Sequence, residues 1–255
     1  MDFTAFHHQT TPLLLANVWD AASAQAAEQA GYQAMGTSSA AIAAMLGYDD
    51  GEQMPFAELL FMVKRIRAVC DLPLSVDMEA GYGQTAQAIA DNLQHLIKLG
   101  VVGINLEDSR VVNGERQLVE AAQFARQLRE IRAQLPCPLF LNIRTDTFLL
   151  NVENALAKTL YRGQLYAQHG ADGLFVPGVM QNADIAAIAQ QIPLPLNVMC
   201  VPGLAGFTEL ATLGVRRISM GNAVHAALQT QLKNILLSVQ TQQSFEGVFH
   251  YANHG

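Results

Sequence analysis

The sequence predicts an α/β fold: a closed (β/α)8 barrel in a single domain. Three observations predict it. The chain has 255 residues, close to the length of about 250 typical of such barrels. Eight short β-type runs alternate with longer Ala-, Leu- and Gln-rich segments, the βαβα pattern of a parallel sheet. Several runs are also preceded by a segment ending in glycine, the helix C-cap that reverses the chain into the next strand.

Taken in order, Leu13–Val18 is an apolar run that opens into Trp19-Asp20-Ala21. Gln33–Thr37 follows Ala30-Gly31-Tyr32, and Leu74–Glu79 ends in carboxylates. Gly103–Glu107 follows Leu99-Gly100-Val101, and Leu139–Arg144 ends in a guanidinium. Gly173–Val176 follows His169-Gly170-Ala171, Leu196–Met199 carries Asn197, and Arg217–Met220 follows Leu213-Gly214-Val215. An eighth helix is expected over Ala223–Gln240, then a polar tail, Thr241–Gly255, ordered only against a partner subunit. No linker or composition shift marks a second domain, so residues 1–255 read as one barrel with its C-terminal helix and tail.

Composition excludes several classes. A net charge of −7, with 15 Lys plus Arg scattered along the chain, offers no basic stripe for nucleic acid. Met1–Thr11 is polar, and no run approaches the about 20 apolar residues of a membrane span, so a cytoplasmic protein is expected. Cys70, Cys137 and Cys200 are widely separated and read as reduced thiols.

In such a barrel the C-terminal strand ends line the site. That rule puts Asn17, Trp19, Asp20, Thr37, Ser38, Ser39, Asp77, Glu79, Glu107, Asp108, Arg144, Thr145, Asp146, Asn197, Cys200, Gly221 and Asn222 on the active face, and Arg216 and Arg217 on the opposite one. Carboxylates at the edge of an apolar core are costly unless paired or bound to a cation. Magnesium, a hard ion that needs few direct carboxylates, suits this set better than zinc. Arg144 opposes the cluster with a fork suited to a substrate carboxylate or phosphonate, and Thr37-Ser38-Ser39 offers hydroxyls and N–H groups for an oxyanion. Lys64, Lys98, Lys158 and Lys233 all fall in predicted helices, which leaves no strand-end amine for a Schiff base. Asn197, an amide at the end of an apolar strand, needs a partner, and a ligand oxygen is one.

With these residues in hand, the chain resembles the isocitrate lyase and phosphoenolpyruvate mutase superfamily over nearly its whole length. The likeness rests on Trp19-Asp20-Ala21, Gly36-Thr37-Ser38-Ser39, Leu46-Gly47-Tyr48-Asp49-Asp50, Asp77-Met78-Glu79-Ala80-Gly81-Tyr82-Gly83, Gly103-Ile104-Asn105-Leu106-Glu107-Asp108, Arg144-Thr145-Asp146 and Leu196-Asn197-Val198-Met199. It implies a phosphoenolpyruvate mutase-like barrel in which Asp77 binds magnesium directly, while Asp50, Glu79 and Glu107 hold the metal's waters. It also implies that the Ser38-Ser39 segment and Arg144 grip a 2-oxo or 2-hydroxy acid, and that the eighth helix is exchanged within a dimer or tetramer. Two departures stand out. Glu79 occupies a position where the family usually has Asp, and Ser109–Leu118 lacks the Lys-x-Cys-Gly-His segment that supplies the acid in isocitrate and methylisocitrate lyases.

The expected activity is magnesium-dependent C–C cleavage of a small, oxaloacetate-like dicarboxylate through a metal-held enolate. Arg144 and Glu107 are the catalytic candidates, and Trp19, Ser38, Ser39, Arg144, Asn197 and Arg116 the substrate-holding ones. The alternatives are P–C chemistry on phosphonopyruvate and non-catalytic dicarboxylate binding. Ser109–Leu118 is expected to be a mobile cover.

Overall fold

The computed structural model describes residues 3–252. Its first predicted strand is split at Leu15 into β1 (Leu13–Leu14) and β2 (Ala16–Val18), and that split closes the barrel. The remaining strands are β3 (Met35–Thr37), β4 (Leu74–Asp77), β5 (Val101–Glu107), β6 (Ser109–Val112), β7 (Glu115–Leu118), β8 (Phe140–Arg144), β9 (Gly173–Phe175), β10 (Leu196–Met199) and β11 (Val215–Ser219). The parallel sheet runs β1-β11-β10-β9-β8-β5-β4-β3-β2. Its two ends therefore lie in one stretch of chain, and the Leu15 N–H donates to the Ile218 carbonyl at 2.9 Å across the seam. The predicted barrel is the observed fold. Gly31, Gly100, Gly170 and Gly214 all take left-handed φ values, as the helix-ending preludes require.

Helices α1 (Ala21–Gln29), α2 (Ser39–Leu46), α3 (Phe56–Arg67), α4 (Ala86–Ile97), α5 (Ala121–Gln134), α6 (Ala155–Ala167), α7 (Asn182–Gln191) and α8 (Phe207–Thr212) accompany the strands. In α4 the Thr85 side chain caps the Ala88 N–H, and Ile89, Leu93 and Leu96 fall on one buried stripe. In α5 Glu120 caps the N–H groups of Ala122 and Gln123, and Phe124, Leu128 and Ile131 do the same. Each such side chain contributes about 1.5–3 kcal/mol on full burial, and together they hold the strand ends where the site is built. Residues up to Gly221 form one compact unit and those from Asn222 a second. The second contains α9 (Ala223–Gln242) and α10 (Glu246–Ala252). The expected polar tail is thus helical over α10, while residues 253–255 lie outside the described residues.

A short 3-10 turn, Thr4–His8, places Phe3 and Phe6 against Leu13, Leu15, Ala34 and Phe140 in a separate apolar cluster at the strand beginnings. Gly103 permits this plug, since a Cβ there would sit 2.8 Å from the Phe3 ring. Above it the interior is polar, where barrels of this class usually pack branched aliphatics. Asn142 Nδ2 donates to Asn105 Oδ1 at 2.8 Å and to Asn197 Oδ1 at 3.0 Å, and Arg217 Nη2 donates to Asn105 Oδ1 at 3.3 Å.

Three placements correct the expectations. Arg217 is not on the opposite face. Its strand begins two residues earlier than expected, at Val215, and Arg217 points inward with 1% exposure. Glu79 is not in a strand either. β4 ends at Asp77, and Glu79 takes a left-handed φ of 48° in the turn that follows. Asp108 does not face the mouth: period-two alternation turns it away from Glu107 into a buried network with Thr145 Oγ1, Arg162 Nη1 and Tyr166 Oη at 2.7, 2.8 and 2.7 Å.

Candidate active site

Asp77, Glu107 and Arg144 end β4, β5 and β8, which are neighbours in the barrel. Ser39, in the first turn of α2, donates its hydroxyl to Asp77 Oδ2 at 2.7 Å, and the Asp77 N–H is held by Thr37 Oγ1 at 2.8 Å. Asp77 Oδ1 is buried without a hydrogen-bond partner among the described residues. Ser38 caps α2 by accepting from the Ala41 N–H. The Ser38-Ser39 pair thus fixes a helix start and a carboxylate together.

Glu79 is buried. Its Oε1 accepts from Tyr82 Oη at 2.6 Å and its Oε2 from the Glu52 N–H at 2.7 Å. Burial pushes its carboxyl up to about 7; the Tyr82 hydrogen bond opposes that rise, and Asp50 and Asp77 add to it. Glu107 is likewise pushed up by burial, opposed by Arg144 and Arg116 and reinforced by Asp146 and Asp77. A group of acids raised by desolvation and mutual repulsion is one that a cation would relieve.

Arg144 lies 3.0 Å from Glu107 through Nη1 and makes a two-pronged contact with Asp146, at 2.6 Å through Nε and 3.1 Å through Nη2. Two bonds to one carboxylate fix the plane of the guanidinium. The segment Ser109–Leu118 is an antiparallel hairpin, β6 with β7, turning at Asn113-Gly114, where both φ values are positive; this is the signature of a tight hairpin turn. It delivers Arg116 into the cluster, where Nη1 pairs with Glu107 and Nη2 lies 3.0 Å from Asp50. Beside the hairpin is a cavity of about 180 Å³ lined by Glu52, Gln84, Glu107 and Arg110, among others.

The structure therefore brings Asp77, Glu107, Arg144, Arg116 and Asp50 around one mouth, with Glu79 behind it. Trp19 is buried in the core, and its backbone N–H is held by Ser23 Oγ at 3.0 Å. Asn197 lies deeper, and its amide is spent on Val198 O, Ser219 Oγ and Asn142. Nothing in the sequence singled out Glu52, whose carboxylate accepts the Tyr82 N–H at 2.5 Å; its only signal was its position two residues after Asp50. The sequence places Asp146 on the active face without a role, and in the structure it orients Arg144.

Among the described residues no group of three or more His, Cys, Asp and Glu converges as a ready-made metal cage. The donor set nevertheless fits magnesium, which takes one or two direct carboxylates and keeps its waters. Asp77 Oδ1 is the uncommitted oxygen; the charges of Asp50 and Asp77 help raise Glu79, and that of Asp77 helps raise Glu107, so these carboxylates lie within electrostatic reach of the same place.

The phosphoenolpyruvate phosphomutase family model matches residues 3–240. The chain belongs to that family. Its relatives include a Mycobacterium tuberculosis protein of uncharacterised function, 34% identical over 89% of this chain and 84% of that one. An oxaloacetate decarboxylase of Paraburkholderia xenovorans is 31% identical over 90% and 77% of the two chains. A solved structure from Burkholderia cenocepacia, provisionally assigned as a phosphonomutase, is 38% identical over 92% and 97%, with a TM-score of 0.86. The family is one of lyases and mutases, in agreement with the resemblance read from the motifs. No helix among the described residues is long and apolar enough to cross a membrane.

Proposed function

We propose that this family member is a magnesium-dependent lyase that cleaves a C–C bond beside the carbonyl or hydroxyl of a small 2-oxo or 2-hydroxy dicarboxylate, with oxaloacetate-like acids as the preferred class. The observation that carries the reading is the uncommitted, buried Oδ1 of Asp77 beside two carboxyls raised by burial, Glu79 and Glu107, with the oriented guanidinium of Arg144 within reach of its charge. The likeness to an oxaloacetate decarboxylase supports the substrate class.

In this reading Asp77 binds magnesium directly, and Asp50, Glu79 and Glu107 hold its waters. When bound, magnesium supplies electrophilic stabilisation of the charge that develops on the substrate oxygen as the bond breaks. Arg144, its plane set by Asp146, binds a substrate carboxylate. The Ser38-Ser39 segment keeps Asp77 aligned and presents helix N–H groups to the anion. Arg116 closes over the mouth with the hairpin, excluding water and touching the substrate's far end. Trp19 and Asn197 act by supporting the wall beneath. The exposed Val224, Leu228, Leu232 and Leu236 recur every fourth residue on α9, which supports assembly with a second copy of the chain, and a cytoplasmic location is proposed with it.

A second reading, P–C bond chemistry on phosphonopyruvate, is supported by the family model and by the Burkholderia cenocepacia likeness. Turnover of oxaloacetate, phosphonopyruvate and methylisocitrate, each with and without magnesium, separates the two. Magnesium-dependent loss of oxaloacetate is the expected result. Turnover of phosphonopyruvate alone would replace the first reading with the second, and binding without turnover of any would make the protein a dicarboxylate binder.

A further inference from the structure

Ser109, the first residue of β6, is fully buried at the point where the hairpin leaves the barrel. Its hydroxyl meets three charged side chains. Oγ donates to Asp146 Oδ2 at 2.5 Å, accepts from Arg116 Nη1 at 3.2 Å, and lies 3.4 Å from Glu107 Oε1. A hydroxyl has one proton to give, and the much shorter contact assigns it to Asp146. The hydrogen bonds therefore run in one direction, from Arg116 to Ser109 and from Ser109 to Asp146.

Asp146 is where that chain meets the side chain assigned to the anion. Its Oδ2, the oxygen that takes the Ser109 proton, also accepts from Arg144 Nη2 at 3.1 Å, while its Oδ1 accepts from Arg144 Nε at 2.6 Å. Arg116 Nη1 stands 3.6 Å from that Oδ2, beyond hydrogen-bond distance, so Ser109 supplies the hydrogen-bonded connection between the two arginines. The preceding residue holds the main chain of Asp146, since Asp108 Oδ1 accepts from its N–H at 3.1 Å. Two consecutive residues thus fix Asp146, one by its backbone and the other by its carboxylate. A nucleophilic serine needs a base for its proton and access to the substrate. Ser109 has no such access, and its proton goes to a carboxylate that Arg144 already occupies.

We propose that Ser109 is a positioning residue that couples the seating of Arg116 to the orientation of Arg144, so that the hairpin and the anion site are set together. The assignment of Arg144 to a substrate carboxylate rests on the proposed function; the link between the two arginines does not. Coupling of this kind is reciprocal. An anion that holds Arg144 in place favours the seated hairpin as much as the seated hairpin favours the anion.

Two measurements test this. In the unliganded protein, arginine side-chain NMR should show the Arg144 Nε–H, which Asp146 Oδ1 holds, exchanging with water faster in Ser109→Ala than in wild type, and faster also in Arg116→Gln, which leaves Ser109 untouched. Unchanged exchange in either variant would overturn the coupling. At saturating magnesium, calorimetry should show oxalate binding Ser109→Ala about 3–10-fold more weakly than wild type, part of the worth of a hydrogen bond to a charged group, because the bond lost is one residue removed from the anion. Magnesium affinity itself should change little. In a double-mutant cycle the loss of oxalate affinity caused by Arg116→Gln should shrink by about threefold or more in the Ser109→Ala background, since only coupled residues depart from additivity. Equal oxalate affinity, or additive losses, would overturn the positioning role. If the wild type binds no oxalate with magnesium, the proposed function falls, and the exchange of the Arg144 Nε–H still decides whether Ser109 links the two arginines.

Discussion

The guanidinium of Arg116 stands between Glu107 and Asp50, pairing with the first through Nη1 and lying 3.0 Å from the second through Nη2. One side chain of the β6–β7 hairpin thus neutralises two of the carboxylates assigned to the magnesium site. A cation entering from solvent and the hairpin arginine compete for the same charges.

The consequence is measurable with Arg116→Gln. Magnesium affinity is expected to rise by about tenfold, about 1.4 kcal/mol, because a positive charge leaves the cluster. Without magnesium the melting temperature should fall, since Glu107 loses a partner in a buried position. Turnover should fall as well, because Arg116 is assigned to the substrate. Calorimetry showing equal or weaker magnesium binding in the variant would refute the competition.

A pH dependence follows from Glu79. Its carboxyl titrates near 4.5 in the unfolded chain and at about 7 in the folded protein. Between those values the folded protein keeps a proton that the unfolded chain has released. The contribution to stability is therefore full below about pH 4.5 and is lost as pH rises through 7. Melting of the protein without magnesium should occur at lower temperature at pH 8.5 than at pH 5.5, and Glu79→Gln should flatten that slope. Saturating magnesium should oppose the trend, because a bound cation requires ionised carboxylates. A wild-type slope of the opposite sign would show that Glu79 is not held protonated by burial.

Asp108 provides the structural contrast to its neighbour Glu107. It accepts from Arg162, Tyr166, Thr145 and the Asp146 N–H and is fully buried. Asp108→Ala leaves the Arg162 charge unpaired and should cost about 3–5 kcal/mol. In denaturant melts the loss should appear with magnesium affinity of the folded fraction unchanged. Lost magnesium binding without lost stability would move Asp108 into the site.

These contrasts show what the chain made legible. Eight β-type runs with glycine-ended helices between them were enough for the barrel, because short apolar runs and glycine helix caps are local properties. Strand-end carboxylates and Arg144 were visible for the same reason. Which face a strand-end residue takes was not visible, because a shift of one residue reverses it. That is why Asp108 and Glu107 read alike. Arg217 is a different case: its strand begins two residues earlier than expected, at Val215, so a residue expected at the strand's start lies in its middle and points inward. Asn197 needs a partner by its sequence, and the structure supplies the Asn142 amide and the Ser219 hydroxyl, a match that depends on strands far apart in sequence. Glu52 reaches the mouth on a loop whose approach to the barrel no local pattern encodes, whereas Arg116 was legible as a substrate-holding candidate but not as the partner of Glu107 and Asp50.

Arg144→Lys tests the anion-binding assignment most directly. Oxalate has the planar shape of the two-carbon unit common to 2-oxo acids, and it should bind the wild type only with magnesium present. The Arg144 guanidinium is fixed by two bonds to Asp146 and lies 3.0 Å from Glu107. A lysine keeps the charge but has neither the fork nor the fixed plane. Its ammonium could satisfy Asp146 or Glu107, but it could not hold both while presenting a second pair of donors to a carboxylate. Oxalate affinity in the presence of magnesium is therefore expected to fall by at least about tenfold, the scale of one charge-assisted hydrogen bond, with magnesium affinity alone changed much less. Calorimetry that gives the lysine variant wild-type oxalate affinity would leave Arg144 as the partner of Asp146 and Glu107 and nothing more. The anion would then have to be held by the hairpin arginines, Arg110 and Arg116, and their double alanine variant should lose oxalate binding in its place.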